Sequence, residues 1–237
     1  MLCWRYQSLA RGLQSVLTCR FRMSNPLDFN DPFESAYPII CNNEGEELKD
    51  SEFANVLRSL QIGVTRVVSL TNDNGLTPGG DLLLWSHYAD FGRGVRIGVE
   101  LSGLNYELLQ MKYTQNRPKL SSEECSKVRF APVANQIYGV KGEMWSYENE
   151  VRILGRLNLL GNGMDVSNTR DVFCNIPAQH FLYIDFGPKI PYETCLSNAI
   201  IVLRRKKFQH IRFRRAIMDR HQFQYLYEDM GVQGIMV

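Results

Sequence analysis

The sequence predicts an α+β protein, and three observations carry that expectation. Apolar alternations and β-branched runs recur along the chain, among them "LCWRY", "VTRVVSLT", "GVRIGVEL", "EVRIL", "FLYIDF" and "FQYLYE". Helical spacing of apolar residues is confined to a few segments. The stretches between strands mix helix and loop instead of repeating a strand–helix unit, which separates α+β from α/β.

Each element has a local reason. "LCWRY" alternates, so a strand over residues 2 to 6 places Cys3 and Arg5 on one face and Trp4 and Tyr6 on the other. Ser8 is a suitable N-cap for a helix in which Leu9, Leu13, Val16 and Leu17 recur at helical spacing. "RFRMS" is a second strand, and "NPLDFNDPFES" is turn chemistry throughout. Residues 46 to 61 read as a helix with Phe53, Val56, Leu57 and Leu60 on one side. "VTRVVSLT" is a β-branched strand, "LLLWSHYADF" a short helix and "GVRIGVEL" a strand. Residues 104 to 113 fit neither period, and a helix with weak periodicity is expected over about 121 to 139. "EVRIL" and "FLYIDFG" are strands, and "YETCLSNAIIVLRRKKF" is a helix whose Arg204 to Lys207 suit the negative end of the helix dipole. "HIRFRRAI" and "FQYLYE" close the chain as strands, giving about eight strands and four helices.

With 237 residues, 44% of them hydrophobic and 22% charged, the chain is expected to form one domain, 1–237, round a substantial core. Formal net charge is only +2, yet residues 204 to 220 hold eight Lys or Arg against one acid, Asp219. That run suits an anionic partner, or is simply a solvated helix end and strand. The cysteines at 3, 19, 41, 125, 174 and 195 have neither C-x-x-C nor metal-ligand spacing, so reduced thiols in a cytoplasmic protein and no metal are expected. Arg5 and Arg11 interrupt the N-terminal apolar residues, against a secretory leader. No stretch approaches the roughly 20 apolar residues of a membrane helix.

The residues with most chemical promise lie in "WSYENEVRIL", 145 to 154. In an extended chain Glu148, Glu150 and Arg152 share one face. Two carboxylates that close in a partly dry site cannot both be comfortably ionised unless Arg152 compensates. The bland alternative is a solvated edge strand. In "FNDPFE" Asn30 and Asp31 either line a pocket on a rigid loop or cap a turn. In "LWSHYADFGRG" Trp85 and Tyr88 offer planar rings, and His87 is either a proton carrier or a hydrogen-bonded structural residue. No G-x-S-x-G elbow, Walker loop or G-x-G-x-x-G occurs.

Taken in order, these pieces resemble a bacterial domain family of unknown function. The pieces are "FNDPFE", "WSHYA" and "KGEMWSYENEVR", with Arg5 and Tyr6 ahead of them and "YIDFG" behind. The likeness runs from about residue 4 to about residue 230, with Gly92 standing where the family pattern has a His. That family in turn is similar to the ADP-ribosyltransferase superfamily. The resemblance implies a split β-sandwich with flanking helices, and NAD as substrate in the cleft between two sheets. It implies Glu150 as the carboxylate that stabilises positive charge on the ribose and Glu148 as the group that orients or deprotonates the acceptor. Arg5 would meet the pyrophosphate or ribose, with Arg5 and Tyr6 both open as the cleft-facing residue. Tyr88 or Trp85 would stack on nicotinamide, with Tyr6, Asn30, Asp31, Ser69 and His87 completing the pocket. The acceptor would be nucleic acid or protein, and the role that of a toxin or antiphage effector with a neutralising antitoxin. Phe208, His210 and Phe213, interleaved with the basic run, offer rings for stacking on bases, with a core place as the alternative for Phe213. An NAD glycohydrolase using the same site, and a non-enzymatic binding module using the basic run, are the alternatives.

Overall fold

The computed structural model of the protein describes residues 1–31, 33, 39–42, 44–48, 65–123, 137–156, 164–166 and 172–232. Most of the expected helix over 46 to 61 and most of that over 121 to 139 lie outside the described residues; at the described start of the first, Glu47 forms a β-bridge with Cys41 instead. What is described is mixed α+β, dominated by one large mixed sheet.

The strands of this sheet are β1 (Leu2–Gln7), β4 (Thr65–Asn72), β5 (Val95–Glu100), β6 (Glu107–Gln110), β10 (Glu150–Arg156), β13 (Phe181–Phe186), β14 (Arg212–Met218) and β15 (Tyr225–Asp229). Their order is β15-β14-β13-β5-β1-β4-β10-β6, and every neighbour is antiparallel except β13 and β14. A second sheet joins β2 (Arg20–Met23) to β11 (Met164–Val166) and β12 (Val172–Asn175). Four three-residue strands pair as β3 (Ile39–Cys41) with β8 (Lys119–Ser121) and β7 (Lys112–Thr114) with β9 (Val140–Gly142). Among the described residues the α-helices are α1 (Leu9–Thr18), α2 (Pro78–Tyr88) and α3 (Tyr192–Leu203). Fifteen strands are described against eight expected, and the other seven (β3, β6, β7, β8, β9, β11 and β12) have three or four residues, too few to show a period.

The sheet forks at its centre. β1 pairs with β5 along its whole length, from Leu2 opposite Glu100 to Gln7 opposite Val95. It pairs with β4 only at Cys3 opposite Asn72 and Trp4 opposite Thr71. β4 meanwhile follows β10 from Thr71 opposite Glu150 to Thr65 opposite Arg156. Beyond Trp4, therefore, Arg5 to Gln7 belong to one wing of the sheet and Thr65 to Leu70 to the other. Ser24, just past β2, bridges to Val67 across the gap, with reciprocal backbone bonds of 2.8 and 2.9 Å.

The alternation of β1 is realised. Cys3 joins the main core with Phe21, Val95, Ile97 and Ile184. Trp4 and Tyr6 enter a smaller cluster with Leu84, Trp85 and Ala216 on the other face. α1 lies close on β5 because residue 12 is glycine: a Cβ there would sit 2.1 Å from Val95 Cγ2.

Polar groups under α2 fix its place. The Tyr6 and Tyr227 hydroxyls both donate to Asp81, and Arg96 Nη1 donates to the same carboxylate at 3.1 Å. Arg96 also meets Asp185, at 2.7 Å, and Arg214 grips Asp185 with two bonds of 2.7 and 2.8 Å. Trp85 Nε1 donates to the Tyr227 hydroxyl at 2.9 Å. Buried charges survive only when paired in this way. Burial pushes the Tyr6 and Tyr227 hydroxyls up, so both remain protonated donors.

Candidate active site

The fork opens into a cavity of about 460 Å³. Arg5, Gln7, Ser8 and Arg11 form one wall, and Ser69 and Thr71 of β4 the other. Phe29, Asn30, Tyr88, Asp90, Lys141, Glu148 and Glu150 line the remainder.

The carboxylate pair is inside it, but not for the reason that strand spacing gives. Residues 143 to 148 form a 3₁₀ segment, and Asn149 is left-handed at φ 43° and ψ 50°. Asparagine tolerates that region better than other non-glycine residues. Its side-chain amide donates to the Asn72 and Asn74 carbonyls at 2.9 and 2.7 Å, pinning the turn to the end of β4. β10 starts only at Glu150, so the face-sharing rule applies to Glu150 and Arg152 and not to Glu148. It is the Asn149 turn that brings Glu148 back beside Glu150.

Both carboxylates are 4% exposed, which removes the solvated-edge alternative. Lys141 Nζ lies between them, 2.6 Å from Glu148 Oε2 and 3.3 Å from Glu150 Oε2. Tyr88 donates its hydroxyl to Glu148 Oε1 at 2.6 Å, and Asn30 hydrogen-bonds that hydroxyl. Arg152 donates from Nε and Nη2 to Glu150 at 2.8 and 3.2 Å, while Ser69 bonds the same carboxylate. The Glu150 amide donates to the Tyr113 hydroxyl at 2.7 Å, which fixes the strand entry. Two acids against Lys141 and Arg152 make the cluster formally neutral.

Burial raises the Glu150 pKa, and Lys141 and Ser69 only partly oppose it. Burial would lower Lys141, but Glu150 and Glu148 outweigh it and hold the ammonium charged. Burial, then Glu148, keeps the Tyr88 hydroxyl protonated. Arg152 falls with burial to about 9 and is still a cation at neutral pH.

Arg5 occupies the opposite wall. Its Nη2 donates to the Arg22 carbonyl at 3.0 Å and its guanidinium lies 4.9 Å over the Phe21 ring. Nη1 is buried with no hydrogen-bond partner among the described residues. Burial lowers Arg5 to about 10, so it too is a cation at neutral pH. Beside it α1 begins at Leu9, with no acid in its first turn and no side-chain cap from Ser8. This end of the cavity thus favours an anion.

Of the residues singled out by sequence, Arg5, Tyr6, Asn30, Ser69, Tyr88, Glu148 and Glu150 line the cavity. Tyr6 turns its hydroxyl away to Asp81, leaving Arg5 and Gln7 as the cleft-lining polar groups of β1. Trp85 does not fit its expected stacking role: it is fully buried among Tyr6, Tyr225 and Tyr227. His87 is exposed, 3.1 Å from the Tyr147 hydroxyl, and lies outside the lining. Asp31 caps a turn, accepting the Phe33 amide at 2.9 Å, and is likewise outside the lining. Gly92 has φ 84°, a backbone that disfavours a His there.

The basic run is not one surface. Arg214 is committed to Asp185, whereas Arg204 to Lys207 are exposed. Arg205 Nη1 and Lys207 Nζ reach Leu17 and Cys19, at the far end of α1 from the cavity. Phe208 and Phe213 are core residues and are not available to stack on bases. Sequence reasoning missed Lys141, whose signal was a lysine in "KGEMW" with no solvent-facing period to explain it.

Fold and crevice together define a mixed α+β protein with a neutralised carboxylate pair at the fork of its main sheet. No protein-family model matches the chain, and no curated protein or solved structure matches it either. Among the described residues no His, Cys, Asp and Glu side chains cluster to hold a metal, and no helix is long and apolar enough to cross a membrane.

Proposed function

We propose that the protein is an ADP-ribosyltransferase that moves ADP-ribose from NAD to a macromolecular acceptor. The observation that carries this is the convergence of Glu148 and Glu150 in a sheet fork whose opposite wall presents Arg5 and the start of α1. A fork between two sheet wings is what a split β-sandwich requires, and it supports that fold assignment.

The chemistry needs a crevice with two electrostatic ends. The bond between ribose C1′ and the nicotinamide nitrogen breaks with its electron pair going to nicotinamide, whose ring charge is thereby neutralised. Positive charge develops on the ribose, as in glycoside cleavage. Glu150, held by Arg152 and Ser69, stabilises that charge more in the transition state than in the ground state. The acceptor's nucleophile bonds to C1′ and its proton passes to Glu148. Arg5 and the α1 N-terminus, which line that end of the cavity, take the diphosphate. Tyr88 lines the same end as the carboxylates and meets the nicotinamide riboside.

Incubation with NAD labelled in the adenylate, with lysate protein, RNA and DNA present, tests the reading. A transferase labels a macromolecule and releases nicotinamide, and Glu150→Gln loses both. Labelled free ADP-ribose alone identifies a glycohydrolase. Intact NAD after prolonged incubation refutes both activities.

A further inference from the structure

The carboxylate pair already holds a cation of the protein's own. Lys141 Nζ bridges Glu148 and Glu150 at 2.6 and 3.3 Å and lies 5.0 Å from the centre of the Trp145 ring. Its backbone is clamped as well. β9 runs in register with β7, Lys141 opposite Tyr113, and the Lys112 amide donates to the Gly139 carbonyl at 2.7 Å beside it. The Tyr113 hydroxyl in turn accepts the Glu150 amide at 2.7 Å, which ties the lysine's strand to the glutamate's. Glu150 and Glu148 outweigh burial and keep the side chain an ammonium.

Charge in the cavity is balanced as a result. Its described lining holds three acids, Asp90, Glu148 and Glu150, and three bases, Arg5, Arg11 and Lys141. Arg152 adds a further cation against Glu150. The described lining therefore carries no net negative charge to receive an incoming ammonium or guanidinium. Such a group would lose its water without gaining an uncompensated carboxylate. It would also stand beside Lys141: two like charges about 4 Å apart, at an effective dielectric near 20, lower occupancy roughly a thousandfold. Proton timing points the same way. An ammonium has no free electron pair, so it must lose a proton before it can attack, and an ordinary lysine holds that proton to about pH 10. Glu148, the group that would take it, is already engaged by donors from Lys141 and Tyr88. A hydroxyl has its electron pair free and passes its proton to Glu148 only as its bond to C1′ forms. Resting on the transferase reading, we infer that Lys141 is a specificity-determining residue: it fills the place a cationic acceptor group would take, and the acceptor's nucleophile is an uncharged oxygen or nitrogen, not an ammonium or guanidinium.

Binding and transfer test this separately. Wild type, Lys141→Met and Lys141→Gln proteins, each with its fold checked by circular dichroism, are titrated calorimetrically with n-butylammonium, and with tetramethylammonium, which donates no hydrogen bond. n-Butylammonium takes the vacated place between the carboxylates and binds both variants about tenfold or more tighter than wild type, while tetramethylammonium distinguishes none of the three. Equal n-butylammonium affinity in all three overturns the inference. So does n-butylammonium binding to wild type that Glu148→Gln abolishes, a result that stands even where neither Lys141 variant folds. For transfer, wild type receives NAD labelled in the adenylate together with agmatine, polylysine and lysate, and labelled positions are mapped by mass spectrometry. Label on a hydroxyl, an amide or a ring nitrogen is expected, with agmatine and polylysine unmodified. Label on agmatine, on a lysine or on an arginine overturns the inference. Absence of nicotinamide release under every condition refutes the transferase reading instead, and the calorimetric comparison then judges the exclusion of cations by itself.

Discussion

Lys141→Met is the most informative single substitution. Lys141 Nζ is 2.6 Å from Glu148 and 3.3 Å from Glu150, and all three side chains are 4–6% exposed. At an effective dielectric near 20, each contact is worth roughly 5–6 kcal/mol before desolvation. Burying the ammonium takes back several kcal/mol, so the net worth of the trio is small. Truncating one partner is different, because two carboxylates remain buried with Arg152 alone opposite them. Such losses run to about 3–5 kcal/mol. Proton uptake by one carboxylate relieves part of this, placing the expected destabilisation near 3 kcal/mol. For a chain of this size that is a fall in Tm of roughly 6–12 °C. The pH dependence fixes the cause. A carboxyl whose folded pKa lies above its unfolded one contributes stability below the unfolded value and loses it as pH rises through the folded value. The variant is therefore more destabilised near pH 8 than near pH 5, and adding Glu148→Gln restores part of the loss. Calorimetric melts across that range measure both effects. A Tm within about 2 °C of wild type at every pH would refute the claim that Lys141 holds the pair together.

Three further expectations follow from the same geometry. Because burial raises Glu150, NAD turnover falls on the acid side at a pH above the ordinary carboxylate range, and Lys141→Arg shifts that limb less than Lys141→Met, as a pH–rate profile reads. Asn149→Ala loses two bonds to the β4 end and forces a left-handed alanine, costing about 2–3 kcal/mol, whereas Asn149→Gly costs about 1, both read by thermal melts. Trp85→Ala destabilises by about 3–5 kcal/mol as a core truncation and leaves NAD affinity, measured on folded protein at low temperature, unchanged.

The sequence showed the strands that alternate or run β-branched. β1, β4, β5, β10, β13, β14 and β15 fall within a residue or two of expectation, since each carries its own period. The fork was hidden, because it depends on β1 leaving β4 after two residue pairs, a tertiary choice no local pattern encodes. Glu148 and Glu150 were visible as a pair, but their convergence comes from a left-handed Asn149 that face-sharing arithmetic does not contain. Trp85 was misplaced because, although it and Tyr88 are neighbours one turn apart on α2, its ring is buried against Tyr6 and Tyr227 while Tyr88 reaches on to Glu148. Lys141 stood at the head of the "KGEMW" motif without a role, because a buried lysine is recognised only by its partners. The basic run dissolved for a similar reason, since Arg214 answers Asp185, twenty-nine residues away, and Phe208 and Phe213 answer the core.

A crystal structure of Glu150→Gln soaked with NAD tests the central claim most directly. The account predicts the nicotinamide riboside in the fork, its ribose against residue 150 and Tyr88, with the diphosphate at Arg5 and the first turn of α1. NAD bound elsewhere, or a fork that stays empty at saturating NAD, would contradict it.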